Sequence, residues 1–276
     1  MLNPVSYIIN KVNRRILNLA LAVVKRHVAG QAGLGIMTYN RHADILTPIT
    51  WKARGVTLPD ANGKAVPVTN NWAGLEDKID YKGKIVLDVG ASLGATVARF
   101  AKTASKVFAF EPHPDNFGFL NDQVKIRKLD NVDTYQMAVS NFVGETEFFG
   151  RESHGVHSLG VHNKGKVVFT YKVAVQTLDH FCASNVKEQI GLLKIDVEGF
   201  EVDVLRGASG LLKDKKIDVV LFEFSPRIHK LRKIDQDAPI KVLREHGYEV
   251  YWMNGEIFAP KEDEYPKICD LYATPK

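Results

Sequence analysis

The run Lys84-Ile-Val-Leu-Asp-Val-Gly-Ala-Ser-Leu-Gly94, followed by Phe108-Ala-Phe-Glu-Pro112, constrains this chain more than any other stretch. It reads as a strand, a glycine turn into a helix, and a second strand that ends in an acid. That arrangement holds a nucleoside at the C-terminal edge of a parallel sheet. Glycines let the backbone approach the ligand, and a carboxylate at the second strand's tip accepts both ribose hydroxyls. Glu111 falls 23 residues after Asp88, the spacing such a unit requires.

Asp88 bears on which nucleoside is held. A dinucleotide site wants G-x-G-x-x-G, with a diphosphate over the helix N-terminus. Here the pattern is Asp88-x-Gly90-x-x-x-Gly94, and Ser92 stands where the second glycine belongs. A carboxylate at the strand tip repels a diphosphate. It suits S-adenosylmethionine, which has no phosphate and carries an amino group and a sulfonium. S-adenosylmethionine is the expected cofactor; a nicotinamide or flavin cofactor, or a plain packing turn with no ligand, are the alternatives.

From Tyr81 onward strands and helices alternate. Strands are predicted at Ile85–Val89, Val107–Phe110, near Val132–Val139, at Leu192–Val197 and at Val219–Phe224. Helices are predicted at about Ala95–Lys102, Pro114–Lys128, Glu201–Leu212 and Pro239–His246. Thr146–Phe149 and Val167–Val175 have β character and flank a polar loop. Repeated strand-helix units imply a parallel sheet with helices on both faces. Tyr248–Met253 reads as a sixth strand, and Asn254-Gly255 is a strong hairpin signal. A returning antiparallel strand then comes from Glu256–Ala259 or Ile268–Ala273. A reversed last strand favours a methyltransferase sheet over the all-parallel continuation of a nicotinamide domain. The expected fold is α/β: a Rossmann-like class I methyltransferase sheet, mostly parallel, with an N-terminal helical and irregular extension.

The extension holds the charge asymmetry. Residues 1–43 carry six basic side chains and no acid, out of a net +5 for the whole chain, so the remainder is near neutral. A basic pI here does not imply a nucleic-acid partner. Val5, Ile8, Ile9, Val12, Ile16, Leu19, Ala20, Val23 and Val24 form one helical stripe, opposite Lys11, Arg14, Asn18 and Lys25. Residues 1–30 are therefore expected as a basic amphipathic helix. The run Ile16 to Val24 is far shorter than the roughly 20 residues that span a bilayer. Two readings stay open for residues 1–28: peripheral contact with an anionic membrane, or packing on the chain's own domain or a second copy. Residues 31–80, punctuated by glycine and proline, are expected as an irregular accessory segment, and 81–276 as the catalytic domain. Cys182 and Cys269 stand far apart in sequence and outside any CxxC spacing, so a reducing cytoplasm is the default compartment.

The chain resembles the FkbM-type S-adenosylmethionine-dependent methyltransferases over roughly residues 80–275. The resemblance rests on Leu87-Asp-Val-Gly-Ala-Ser-Leu-Gly94, Phe110-Glu-Pro112, Met137-Ala-Val-Ser140, Thr177-Leu-Asp179, Leu193-Lys-Ile-Asp-Val-Glu-Gly199 with Glu201, Leu205-Arg-Gly-Ala208, and Phe222-Glu-Phe224. It implies an O-methyltransferase acting on a sugar, glycolipid or polyketide hydroxyl. Where the family often has Asn, this chain has Ser92, which still donates and accepts a hydrogen bond.

Methyl transfer to a hydroxyl needs in-line placement, exclusion of water and removal of a proton. Candidates come from the carboxyl ends of the strands. Asp196, Glu198 and a loop histidine, His157 or His154, are the candidate catalytic groups. Asp88, Gly90, Ala91, Ser92, Gly94, Glu111, Pro112, Ala138 and Asp196 are the candidate cofactor residues. Glu223 is a further candidate facing the acceptor. Lys194, inside an apolar strand, needs a partner, and Asp196 or Glu223 is expected. Adenine is expected against Pro112 and Met137-Ala138-Val139, with Asp133 or Gln136 near its amino group. No metal site is expected. The partner is a small-molecule or glycan acceptor. A nicotinamide-dependent oxidoreductase, and a non-catalytic module that binds membrane or partner, are the competing functions.

Overall fold

The computed structural model describes the strand backbones at 36–40, 45–49, 56–59 and 65–68, and then residues 79–151, 167–261 and 264–276. The chain divides into two units, Met1–Ala73 and Gly74–Lys276. In the first, β1 (Ile36–Asn40) pairs antiparallel with β2 (Ile45–Ile49), and β3 (Val56–Pro59) with β4 (Ala65–Val68). The stretch expected to be irregular thus contains two hairpins, because β-branched runs such as Ile45-Leu-Thr-Pro-Ile49 find partners a few residues away. The helix expected over residues 1–30 lies outside the described residues.

The second unit is built on a seven-stranded sheet. Its strands are β5 (Ile85–Val89), β6 (Lys106–Phe110), β7 (Val132–Tyr135), β11 (Ile190–Ile195), β12 (Val220–Phe224), β13 (Tyr248–Trp252) and β14 (Cys269–Pro275). They run in the order β13-β14-β12-β11-β5-β6-β7. β14 is antiparallel to both its neighbours, whereas β12, β11, β5, β6 and β7 pair in parallel. The sheet is therefore an α/β methyltransferase-type sheet with one reversed strand. Of the two segments expected to reverse, the second does so. Glu256–Ala259 forms no strand and makes a single bridge, Tyr251 to Ile257.

β5 and β11 lie at the centre and are buried along their whole length. Buried on both faces, they read as continuous apolar runs rather than alternating ones. Each fully buried Leu, Ile, Val or Phe in them is worth about 1.5–3 kcal/mol of transfer free energy. Helices α1 (Ala95–Phe100), α2 (Pro114–Arg127), α3 (Leu178–Asn185), α4 (Glu201–Arg206), α5 (Ser209–Lys213), α6 (Pro226–Leu231) and α7 (Ala238–Glu245) connect the strands. The helix expected over 201–212 is two helices, broken at Gly207 and Ala208; Gly207 packs its backbone on Ser140, where a Cβ would sit 2.0 Å from the carbonyl oxygen.

A second sheet, ordered β8-β10-β9, joins β8 (Ala138–Val139), β9 (Gly144–Arg151) and β10 (Val167–Gln176). The strand expected over 132–139 splits at Gln136: its first half stays in the large sheet, and its second half pairs with β10. This split carries Met137, Ala138 and Val139 over the strand tips.

Candidate functional site

A cleft of about 770 Å³, counting its open mouth, lies at the carboxyl ends of β5, β6 and β11. Its walls include Gly90 and Ser92 after β5, Glu111, Pro112 and Asn116 after β6, and Met137, Ala138 and Val139. Asp196, Val197, Glu198 and Phe200 after β11 close another side, and Phe148 of β9 contributes from the second sheet.

The turn after β5 is held from two directions. The Gly90 and Ala91 N–H groups donate to the Phe110 carbonyl at 3.1 and 3.0 Å. On the other side a Cβ at Gly90, whose φ is +79°, would lie 1.8 Å from the Asp196 carbonyl oxygen. Only glycine lets the two strand tips approach this closely. Ser92 takes φ +48°, a region that L side chains rarely favour. That conformation aims its N–H at Glu111 Oε2, 2.8 Å away. His113 N–H donates to the other oxygen, Oε1, at 2.9 Å. The carboxylate of Glu111 is thereby fixed at the cleft, with the Asn116 side chain as a further donor. Burial holds its pKa above the ordinary carboxylate value, against the opposing pull of the two N–H groups, the charge of Lys194 and the Asn116 side chain. His113 also caps α2, its Nδ1 accepting from Asp115 N–H at 3.2 Å.

Beyond β11 the chain turns through Glu198 (φ +55°) and Gly199 (φ +93°). Glu201 clasps this turn. Its Oε1 accepts from Gly199 N–H at 3.0 Å and Val197 N–H at 3.3 Å, and its Oε2 faces His229 Nε2 at 3.4 Å. Arg232 donates to the Gly199 carbonyl and to Asp203, with its guanidinium over the Phe200 ring. Glu201, not Glu198, therefore serves the backbone at the start of α4, and the Glu198 side chain lines the cleft. Burial, then Asp196 and Glu201, push the Glu198 carboxyl up to about 8. Glu223, at the end of β12, is pushed up to about 9, first by burial and then by Asp196, Glu198 and Glu201. Asp196 is raised by burial against the opposing pull of Lys194.

The sequence-predicted residues divide by place. Gly90, Ser92, Glu111, Pro112, Ala138, Asp196 and Glu198 line one cleft. Ala91 and Gly94 shape the turn behind it, Gly94 packing on Leu120. Asp88 lies beneath the wall, fully buried, 2.9 Å from Lys194 Nζ and accepting from Thr96 Oγ1 at 2.5 Å. The repulsion of diphosphate expected from Asp88 is thus largely offset by a buried lysine, which Asp196 shares at 3.8 Å; Glu198 sits farther along. The partner of Lys194 is likewise Asp88, its direct neighbour in the β5–β11 register, with Asp196 second at 3.8 Å. The Glu223 carboxylate accepts from Ser225 Oγ at 3.0 Å. Asp133 pairs with Lys106 at 2.8 Å, away from the cleft wall. His154, His157 and His162 lie outside the described residues. No group of acids, histidines and cysteines among the described residues has the geometry of a metal site. Asn116, Phe148, Phe200 and the clasp residue Glu201 were not picked out as site residues. Asn116 had a signal, lying in the first helical turn after the acid-tipped strand.

The donor set fits S-adenosylmethionine: a fixed carboxylate for vicinal hydroxyls, apolar walls for a base, a glycine cradle, and acids for a cationic end. The described helices include none long and apolar enough to cross a membrane.

The profile of the Methyltransferase FkbM domain matches residues 88–250. Hexuronic acid methyltransferase AglP of Haloferax volcanii is 30% identical over 138 residues, 49% of this chain and 54% of that protein. 2-O-methyltransferase NoeI of Sinorhizobium fredii is 27% identical over 176 residues, 58% of this chain and 69% of that protein. The chain thus spans about half the length of the first of these relatives. Among solved structures, methyltransferase FkbM from Methylobacillus flagellatus aligns at 14% identity and TM-score 0.45, over 70% of this chain and 43% of that one. SMU.1697c of Streptococcus mutans, solved with S-adenosylhomocysteine, aligns at 11% identity and TM-score 0.43, over 71% and 91%.

Proposed function

Since this chain belongs to the FkbM methyltransferase family, we propose that it moves the methyl group of S-adenosylmethionine to a hydroxyl of a sugar-bearing small molecule or glycan. The observation that carries the reading is the cleft in which a doubly held Glu111 faces the acid pair Asp196 and Glu198. The reversed β14 speaks against the nicotinamide alternative, which required an all-parallel sheet.

When bound, S-adenosylmethionine supplies an electrophilic methyl on a positively charged sulfur. Glu111 accepts the ribose hydroxyls, and Phe110, Pro112, Met137, Ala138 and Val139 offer the adenine an apolar slot. Asp196, joined by Glu198 once it ionises, would give the cationic end a negative environment. Transfer of that methyl to a hydroxyl oxygen would leave the donor as a neutral sulfide. The acceptor's proton passes to the Glu198 carboxylate, whose raised pKa near 8 matches a base working near neutral pH. Charge within the cleft is conserved: one positive sulfur and one carboxylate are replaced by two neutral groups.

The names of the two curated relatives support a sugar acceptor, one being called a hexuronic acid methyltransferase and the other a 2-O-methyltransferase. The test is release of S-adenosylhomocysteine in the presence of neutral sugars, uronic acids and their glycosides. Turnover with a sugar hydroxyl is expected. Tight cofactor binding with no turnover on any hydroxylated acceptor would instead leave a non-catalytic module.

A further inference from the structure

Lys194 is 2% exposed, a cation sealed inside an apolar strand. A buried ammonium is costly unless every donor is used. Its Nζ lies 2.9 Å from Asp88 Oδ1, donates to the Gly90 carbonyl at 2.6 Å, and lies 3.8 Å from Asp196 Oδ2. These three groups belong to β5, to the turn that follows it and to the tip of β11. Neutralising Asp88 alone would need only the first. The other two reach the glycine cradle and the acid wall at their point of contact, where the Asp196 N–H also donates to the Val89 carbonyl at 3.0 Å.

We propose that Lys194 is a positioning residue for the cofactor: it ties the glycine turn to the acid wall and holds Asp196 in place for the cationic end of the methyl donor. The inference rests on the methyl-transfer reading above. Asp88, Asp196 and Glu111 all feel the lysine's charge, and Asp196 in turn feels Asp88 and Glu201, with Glu198 and Glu223 close enough to feel Asp196. Without the lysine, the carboxylates crowd one another and Asp196 keeps its proton to higher pH.

Lys194→Met alone leaves Asp88 buried without its cation and is a poor test, since the protein could fail to fold. The Asp88→Asn/Lys194→Met double variant removes both charges together and is compared with Asp88→Asn. The full-length proteins are melted and titrated with S-adenosylmethionine and S-adenosylhomocysteine by calorimetry across pH. If Lys194 positions the cofactor site, the double variant melts close to Asp88→Asn yet binds S-adenosylmethionine about tenfold more weakly or worse. Its affinity also recovers toward alkaline pH, as Asp196 ionises. Equal affinity in the two variants, with the same pH dependence, would reduce Lys194 to a counter-ion and overturn the proposal. A wild-type protein that binds neither ligand would instead strike at the methyl-transfer reading itself.

Discussion

Two turns follow the two central strands, and they handle their carboxylates in opposite ways. On the β5 side, Asp88 near the end of that strand and Glu111 just after its neighbour β6 are tied down: one by Lys194 and Thr96, the other by two backbone N–H groups, of which Ser92 lies in the turn after β5. After β11, Asp196 and Glu198 face the cleft, and among the described residues no N–H serves the Glu198 carboxylate. Burial without donors drives Glu198 up to about 8. Donors decide the difference. A carboxylate given fixed donors becomes a rigid acceptor, and one denied them becomes a titrating group. The first suits recognition of hydroxyls, and the second suits movement of a proton.

The largest expected effect breaks the contact between the two turns. Gly90→Ala forces a Cβ into the Asp196 carbonyl and leaves the residue at positive φ, at a cost above about 3 kcal/mol. A thermal melt should show a destabilised protein with no saturable cofactor binding; an unchanged melting temperature would contradict the packing described.

Glu198→Gln sharpens the comparison on the proton-moving side. It keeps the shape and removes the base, so kcat should fall about 100-fold or more while cofactor affinity changes far less. The rising limb of the kcat profile near pH 8 should vanish as well. A kcat within a few-fold of wild type would shift the base to another group.

Glu111→Gln probes the holding side and should do the reverse. The amide nitrogen would meet either the Ser92 or the His113 N–H donor to donor, so S-adenosylmethionine affinity should drop about 10-fold to 100-fold. The melting temperature should fall as well. Loss of kcat with affinity intact would invert the roles assigned to the two turns.

The smallest effect concerns stability against pH. Glu223 is raised in the folded state, from an ordinary 4.5 to about 9, chiefly by burial. Folding is therefore favoured while this carboxyl keeps its proton. That contribution is fully present below the unfolded value and is lost as pH climbs through the folded one. Glu223→Gln should flatten the decline in melting temperature between about pH 5 and about pH 9, leaving the acid side unchanged. An unchanged slope would mean that Glu223 is ionised in the folded protein.

Much of this architecture was legible in the sequence because it is local. Ile85–Val89 and the glycine turn follow from runs of a few residues, and Glu111 from a fixed spacing. α3 and α6 escaped because each is short and begins behind Thr177 or Ser225-Pro226, where turn chemistry hides a helix start. The split at Gln136 escaped because no glycine or proline in Val132–Val139 marks a break, and only pairing with β10 decides which sheet the second half joins. The Asp88–Lys194 pair was hidden for a related reason. It depends on the register of two strands distant in sequence, and no local pattern records that register. The Glu201 clasp was likewise visible as a residue, but its role depends on the left-handed turn at Glu198 and Gly199.

The most direct measurement of the central claim is calorimetric titration of the full chain with S-adenosylmethionine and with S-adenosylhomocysteine, near pH 6.5 and near pH 9. One saturable site is expected. The cationic donor should gain more affinity than its neutral product as the acids after β11 ionise, by about tenfold between the two conditions. No heat with either ligand, or a preference for a diphosphate-bearing nicotinamide cofactor, would contradict the account.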